Sequence, residues 1–325
     1  MAEMTMAEAL NTALREEMER DDDVVLLGED VGVDGGVFRI TDTLIDDFGK
    51  ARVMDTPLAE SAIVGTAIGM AINGLRPIAE LQFSGFSYFA FHQIESHASR
   101  FRWRTQGRFP IPLVIRMPYG GGVRALEHHS ESRECFYAHM PGLRTVIPSG
   151  PRNARGLLRA AIRNPDPVVF MEPKASYRAF KEDVPDDDAP YPLDKAEIVR
   201  EGQDIVLISY GAMLRPTLEA ADALSEDGVK ACVIDLQTLS PLDGDTIVEA
   251  VEKSGRAVIV TEAPKSFGPA AEIAARIMDS AFFCLEAPIA RVTGYDIHMP
   301  YFAREHDYLP DKHRILSAVR RTLEI

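Results

Sequence analysis

From Val24 onward, short apolar runs alternate with helical stretches, and this alternation constrains the fold more than any other feature of the chain. Residues 24–27, 77–83, 112–117, 144–147 and 168–171 have the length and apolar character of buried strands. Between them, residues 60–73, 86–105 and 151–163 carry helical patterns. Strands that alternate with helices predict a largely parallel sheet covered by helices on both faces. The pattern breaks at Glu182-Asp183-Val184-Pro185-Asp186-Asp187-Asp188-Ala189-Pro190-Tyr191-Pro192, which is too polar to pack and too rich in proline to extend a helix. It then resumes, with strands expected at 205–208, 231–234, 257–260 and 289–292 and helices at 217–225, 243–252 and 269–281. The expected fold class is α/β, with two domains of mostly parallel sheets flanked by helices. Their boundaries are drawn at residues 1–185 and 203–325, with a linker over 186–202.

With 325 residues and 46% hydrophobic content, the chain can fill two cores. Fifty acidic against 35 basic residues give a net charge of −15, which opposes binding to nucleic acid or to an anionic membrane surface. One basic cluster has aromatics interleaved, Arg100-Phe101-Arg102-Trp103-Arg104. It reads as a helix end whose arginines pair with carboxylates of this chain or of a partner. Cys135, Cys232 and Cys284 stand far apart with no CxxC spacing, so they suggest neither a disulfide framework nor a zinc cluster. The first twenty residues place Met6, Leu10, Leu14 and Met18 at helical spacing among many glutamates, unlike a signal or transit peptide, and no apolar run reaches transmembrane length. A cytoplasmic location is expected.

The segment Asp55-Thr56-Pro57-Leu58-Ala59-Glu60-Ser61 carries the main chemical signal. Residues 52–54 read as a short buried strand, Pro57 stops it, and Thr56 or Ser61 can cap the helix that follows. Glu60 then stands at a strand-to-helix junction, the place where open α/β sheets bind ligands, and is a candidate catalytic carboxylate. The plainer alternative is a glutamate that only complements the helix dipole. Further on, His128 and His129 are adjacent, so in extended chain their rings point to opposite sides and make a poor pair for one metal ion. The preceding Gly120-Gly121-Gly122 predicts a mobile loop.

Several segments, in this order and spacing, resemble one family. They are Val24-Val25-Leu26-Leu27-Gly28-Glu29-Asp30-Val31-Gly32, Asp34-Gly35-Gly36-Val37-Phe38-Arg39, residues 55–61, Gly74-Leu75-Arg76-Pro77-Ile78-Ala79-Glu80-Leu81-Gln82-Phe83 and Pro141-Gly142-Leu143-Arg144-Thr145-Val146-Ile147-Pro148. The set resembles the beta subunit of the thiamine-diphosphate-dependent decarboxylase component of 2-oxo acid dehydrogenases, the pyruvate and branched-chain enzymes, over residues 5–323. The resemblance implies a transketolase-like pyrimidine-binding domain followed by a transketolase C-terminal domain. It also implies roles for single residues. Glu60 would hydrogen-bond the pyrimidine ring nitrogen and drive the imino form of the cofactor. Phe86 would stack on that ring, Leu58 and Gln82 would line it, and Glu29 would lie near the cofactor and help pass protons. His129, which precedes Ser130, would serve as proton donor or as a docking element for a lipoyl group, and His128 would face solvent or a partner. A potassium ion would be held through Leu113, Ala161, Ile162, Asn164 and Asp166, where the helix over 151–163 ends.

The chain lacks a Gly-Asp-Gly followed by Asn-Asn, the arrangement by which thiamine enzymes hold the diphosphate through magnesium, and it has no Walker or GxGxxG loop. The resemblance therefore implies that magnesium and the diphosphate are held by an alpha subunit in an α2β2 heterotetramer. The expected activity is oxidative decarboxylation of a 2-oxo acid, with acyl transfer to the lipoyl group of the acyltransferase core. An acetoin dehydrogenase beta subunit shares these motifs, and a non-catalytic assembly subunit is the alternative of another class.

Overall fold

The computed structural model describes residues 2–187, 189 and 191–324. Among these the strands are, in chain order, β1 (Ala2–Thr5), β2 (Val24–Gly28), β3 (Val53–Asp55), β4 (Arg76–Glu80), β5 (Val114–Tyr119), β6 (Arg144–Val146) and β7 (Val168–Pro173). They continue as β8 (Lys181–Val184), β9 (Glu197–Arg200), β10 (Ile205–Ser209), β11 (Ala231–Asp235), β12 (Thr238–Ser240), β13 (Ala257–Pro264) and β14 (Ala290–Gly294). Two large sheets result, in the orders β12-β6-β7-β5-β4-β2-β3 and β14-β13-β10-β11-β9. Every pairing within them is parallel except those of β12 and β9 at the edges. The α/β architecture follows from sequence: β2, β5, β7, β10 and β11 are buried along their whole length, as parallel strands covered on both faces must be.

Helices cover both faces of the first sheet. Met6, Leu10, Leu14 and Met18 form one stripe of the helix Met6–Arg20, opened by a capping box between Thr5 and Glu8. That stripe packs with Leu157, Leu158 and Ile162 of the helix Pro151–Arg163 over Leu26, Val114 and Phe170 of the sheet. The same two helices are tied by charge, with Glu17 fully buried and accepting from Arg163 Nη2 at 2.6 Å. On the opposite side, Ile63, Val64, Ala67, Ile68 and Ala71 form the buried stripe of the helix Glu60–Ile72. That core runs without interruption into the second half, where Ile115, Met117 and Ile147 share one cluster with Val206, Ile208, Ile234 and Ile259.

Polar locks reinforce the junction between the sheets. Asp235, at the end of β11, accepts from Ser149 Oγ at 2.7 Å and Asn153 Nδ2 at 2.9 Å, while Gly211 N donates to Ser149 Oγ at 2.8 Å.

Three features depart from expectation. Residues 86–105 are not one helix; the segment winds as a 3-10 turn (Ser84–Phe89), a helical turn (Phe91–Gln93), a π turn (Ile94–Ala98) and a last helix (Ser99–Arg104). The stretch expected to start the linker at Glu182 is still structured, since β8 pairs antiparallel with β1 from Ala2↔Val184 to Thr5↔Lys181. One strand of the second half, β12, crosses back to pair with β6 in the first sheet. No helix among the described residues is long and apolar enough to cross a membrane. The three cysteines are free thiols.

Candidate active site

Parallel register aligns the carboxyl ends of three neighbouring strands, since Gly28 pairs with Asp55 on one side and with Glu80 on the other. Whatever follows those strands therefore lies along one rim, as binding sites of open α/β sheets do. Glu29 follows β2, the 55–60 segment follows β3, and Gln82 follows β4. Asp55 holds the rim together by accepting from Gly32 N at 2.6 Å and Val33 N at 3.1 Å.

Glu60 opens its helix and is 5% exposed, and Glu29 beside it is 6% exposed. Burial, then the charges of Glu60 and Asp30, push Glu29 up to about 7, against the Ala59 N–H, which acts the other way. A carboxyl poised there exchanges its proton near neutral pH. The sequence leads to a cap by Thr56 or Ser61, and neither provides it: Ala59 occupies the cap position, Ser61 Oγ accepts from Gln93 Nε2 at 3.4 Å, and the buried Thr56 Oγ1 has no partner. Thr56 lies before the first turn with its backbone N–H already given to Gly28 O at 2.9 Å.

Gln82 is half-buried and oriented by its donation to Asp30 Oδ2 at 3.0 Å. Phe86, also half-buried, sits in an aromatic group with Phe83 at 5.5 Å between centroids and with His129 at 5.3 Å. His129 lies edge-on to Phe83 at 4.4 Å, and its Nδ1 is buried with no partner. Burial, followed by the charges of His128 and Lys174, holds His129 below the usual histidine value, which favours the neutral ring. Leu58, by contrast, is 79% exposed at the mouth of the site.

The two histidines do not alternate as in extended chain; Glu127–His129 is a 3-10 turn. Nor does His128 face solvent. Its Nε2–H donates to Gly85 O at 3.0 Å, which fixes the tautomer. Gly85 is required for this approach, because a Cβ there would stand 1.9 Å from His128 O. The glycine loop is also not free, its amides being bound by carboxylates of the second half.

The residues assigned to potassium all take part in hydrogen bonds of the fold. Asp166 Oδ1 accepts from Arg102 Nη1 at 2.5 Å, Asn164 Oδ1 from Asp166 N at 2.9 Å, and Ile162 O from Arg76 Nη1 at 3.2 Å. Leu113 O takes Val168 N at 2.9 Å and Ala161 O takes Asn164 N at 3.2 Å. Two guanidinium groups thus stand at this helix end, Arg102 on Asp166 and Arg76 on Ile162 O. Arg102 and Arg100, the latter 2.6 Å from Glu95, pair with carboxylates of this chain as the basic cluster predicts. Among the described residues no group of three or more His, Cys, Asp or Glu could hold a metal.

Sequence reasoning missed Arg116, Lys174, Glu262 and Glu305. The signal for two of them is a charge inside an apolar strand: Arg116 in Val114-Ile115-Arg116-Met117 and Glu262 at the end of Ala257-Val258-Ile259-Val260-Thr261. Lys174 and Glu305, at an element end and in a short helix, offer none.

Comparison with known proteins identifies the two domains that carry this rim. Residues 2–179 match the model of the transketolase pyrimidine-binding domain, and residues 194–315 match that of the transketolase C-terminal domain. A split-gene transketolase, solved as an inactive beta4 tetramer, superposes with a TM-score of 0.80 over 99% of both chains at 20% identity, a likeness of fold. The pyruvate dehydrogenase E1 component beta subunit of Acholeplasma laidlawii is 48% identical over 99% of this chain and 98% of its own. Those of Bacillus subtilis and Staphylococcus epidermidis are each 48% identical over the full length of both chains. The chain belongs to this transketolase-like family of E1 beta subunits.

Proposed function

We propose that the chain is the catalytic beta subunit of a thiamine-diphosphate-dependent 2-oxo acid dehydrogenase, with pyruvate as the favoured substrate, working with an alpha subunit that holds magnesium and the diphosphate. The observation that carries this reading is the convergence of Glu60 and Glu29 with Gln82, Phe86 and His129 on one rim, supported by full-length likeness to pyruvate dehydrogenase E1 beta subunits. The residues fit an aminopyrimidine: a buried carboxylate for a ring nitrogen, an aromatic face, a fixed amide, and an orphaned hydroxyl at Thr56. When bound, the cofactor would supply an acidic thiazolium carbon for addition to the carbonyl of a 2-oxo acid.

In this reading Glu60 holds a proton against the pyrimidine nitrogen, and Glu29 relays it, being able to carry or release one near pH 7. Phe86 offers its ring face, Leu58 closes the mouth, and Asp30 orients Gln82. His129 presents a neutral imidazole for proton transfer as the acyl group passes to the lipoyl group of the acyltransferase component.

The test is a steady-state panel of pyruvate, branched-chain 2-oxo acids and acetoin, using the chain assembled with its alpha partner and an artificial electron acceptor. Turnover of pyruvate, lost by about 10² or more in Glu60→Gln together with exchange at the thiazolium carbon, is expected. Parent-like exchange in Glu60→Gln would make Glu60 structural, and turnover confined to acetoin would move the activity to a hydroxyketone.

A further inference from the structure

The loop over 120–131 carries the two histidines, and its shape is imposed from outside. Its base is closed by Gly120 N donating to Glu131 O at 3.1 Å, with Ser84 Oγ donating to the same carbonyl at 2.9 Å. Inside, Gly120, Gly122 and Arg124 take φ of +80°, +90° and +57°, so successive amides turn toward one concave side. Carboxylates of the second half fill that concavity. Glu305, fully buried, receives Gly122 N on Oε1 and Arg124 N on Oε2, both at 2.8 Å. Glu262, 2% exposed at the end of β13, receives Gly121 N on Oε2 at 2.8 Å.

Lys174, 3% exposed just past β7, completes the arrangement. Its ammonium donates to Gly120 O at one end of the loop and to His129 O, at 2.5 Å, at the other. One buried cation thus stands among two buried carboxylates and three backbone amides, a set whose members are costly to leave unpaired. The φ of Gly120 forbids a cheap substitution there, and a Cβ would also stand 2.5 Å from Glu262 Oε1.

We propose that Glu305 and Glu262 of the C-terminal half, with Lys174, are positioning residues that hold the 120–131 loop so that the His129 imidazole faces the aromatic rim. The inference rests on the proposed role of His129 and goes beyond it by assigning its placement to carboxylates far along the chain. The glycines are therefore a bound segment and not a flexible flap. A group that is held before substrate arrives loses no time or freedom in reaching its place, which is the usual use of a buried positioning network.

The experiment compares Glu305→Gln and Glu262→Gln with the parent, in the enzyme assembled with its alpha partner, and uses Glu272→Gln, which alters a surface pair with Arg276, as control. At 305, where both oxygens accept, Gln turns one acceptor into a donor, so one loop amide loses its partner; at 262, where only Oε2 accepts, Gln keeps the acceptor for Gly121 N and removes the negative charge that faces Lys174. Hydrogen exchange of the 120–131 peptide should quicken at least tenfold and the C2 hydrogen of His129 should exchange faster. Transfer to lipoyl substrate should fall about tenfold while thiazolium exchange stays at the parent rate. Parent-like exchange in the loop and at His129 in both variants would overturn the positioning role, as would loop loosening with no change at His129. His129→Ala separates the two layers: if it transfers to lipoyl substrate as the parent does, the role given to His129 fails while the exchange measurements still decide the clamp.

Discussion

His128 and His129 are one residue apart and have different work. His128 spends its Nε2–H on Gly85 O, a bond within the fold, whereas His129 keeps Nδ1 without a partner beside Phe83 and Phe86. His129→Ala is expected to retain cofactor binding and thiazolium exchange but to lose lipoyl transfer by about 10² or more. His128→Ala should transfer at near the parent rate and unfold more easily by about 1 kcal/mol, the usual worth of one hydrogen bond. Steady-state kinetics of the two variants check this, and a dead His128→Ala beside a healthy His129→Ala would exchange the assignments. The positions of Glu29 and Glu60 beyond strand ends were readable because the apolar runs of β2 and β3 shortly precede them in sequence. The fate of His128 was not, because its acceptor, Gly85, is 43 residues away.

The strands of the first sheet carry a second level of organisation. Arg116 Nη1 donates to Glu80 Oε2 at 2.6 Å, while its Nε and Nη2 grip Glu172 at 2.7 and 3.0 Å, and Tyr177 OH donates to Glu172 Oε2 at 2.6 Å. All of it is buried across β4, β5 and β7, where register sets Glu80 against Arg116. Burial raises the Glu80 carboxyl, and the neighbouring guanidinium opposes that rise. Arg116→Met fills the volume but leaves two buried carboxylates without their cation, so a loss of about 3–5 kcal/mol is expected in chemical denaturation. A loss under about 1 kcal/mol would mean that the glutamates are neutral in the fold. Strand positions were readable because apolar period and length suffice for them. The breaks over 86–105 were not, since Phe83, Phe86 and the His128–Gly85 bond bend that segment through contacts no local period records. The return of β12 to the first sheet escapes for the same reason.

At the scale of the whole molecule, the two halves share buried titratable groups as well as apolar core. Glu134, fully buried on the helix Glu134–Ala138, accepts from Tyr210 OH of the second half at 2.8 Å while its Oε2 has no partner. Burial pushes it up to about 7. A carboxyl raised in this way binds its proton in the folded state while the unfolded chain releases it near 4.5, so stability declines as pH rises from about 4.5 to 7 and levels off above. The cost above pH 7 is on the order of 3 kcal/mol. Glu134→Gln keeps the acceptor for Tyr210 and removes the titration. Its unfolding free energy relative to the parent should rise by that amount between pH 5 and pH 8, and a flat difference would show that Glu134 is ionised throughout.

In the proposed reading the rim is one wall of a site shared with an alpha subunit. Leu58 is 79% exposed, Gln82 and Phe86 are open on one side, and the chain carries no Gly-Asp-Gly with Asn-Asn to bring magnesium to a diphosphate. Stacking one pyrimidine face and hydrogen-bonding one ring nitrogen offer a few kcal/mol at most, which the lost freedom of a mobile dianionic cofactor offsets, and a net charge of −15 works against that anion further. Cofactor affinity should therefore belong to the assembly and not to this chain. Titration calorimetry with magnesium and thiamine diphosphate is expected to give no binding heat for the isolated chain. Mixing with the alpha partner should restore both binding and turnover. Tight, magnesium-dependent binding to this chain alone would require a phosphate site within it and would overturn the division of the cofactor between two subunits.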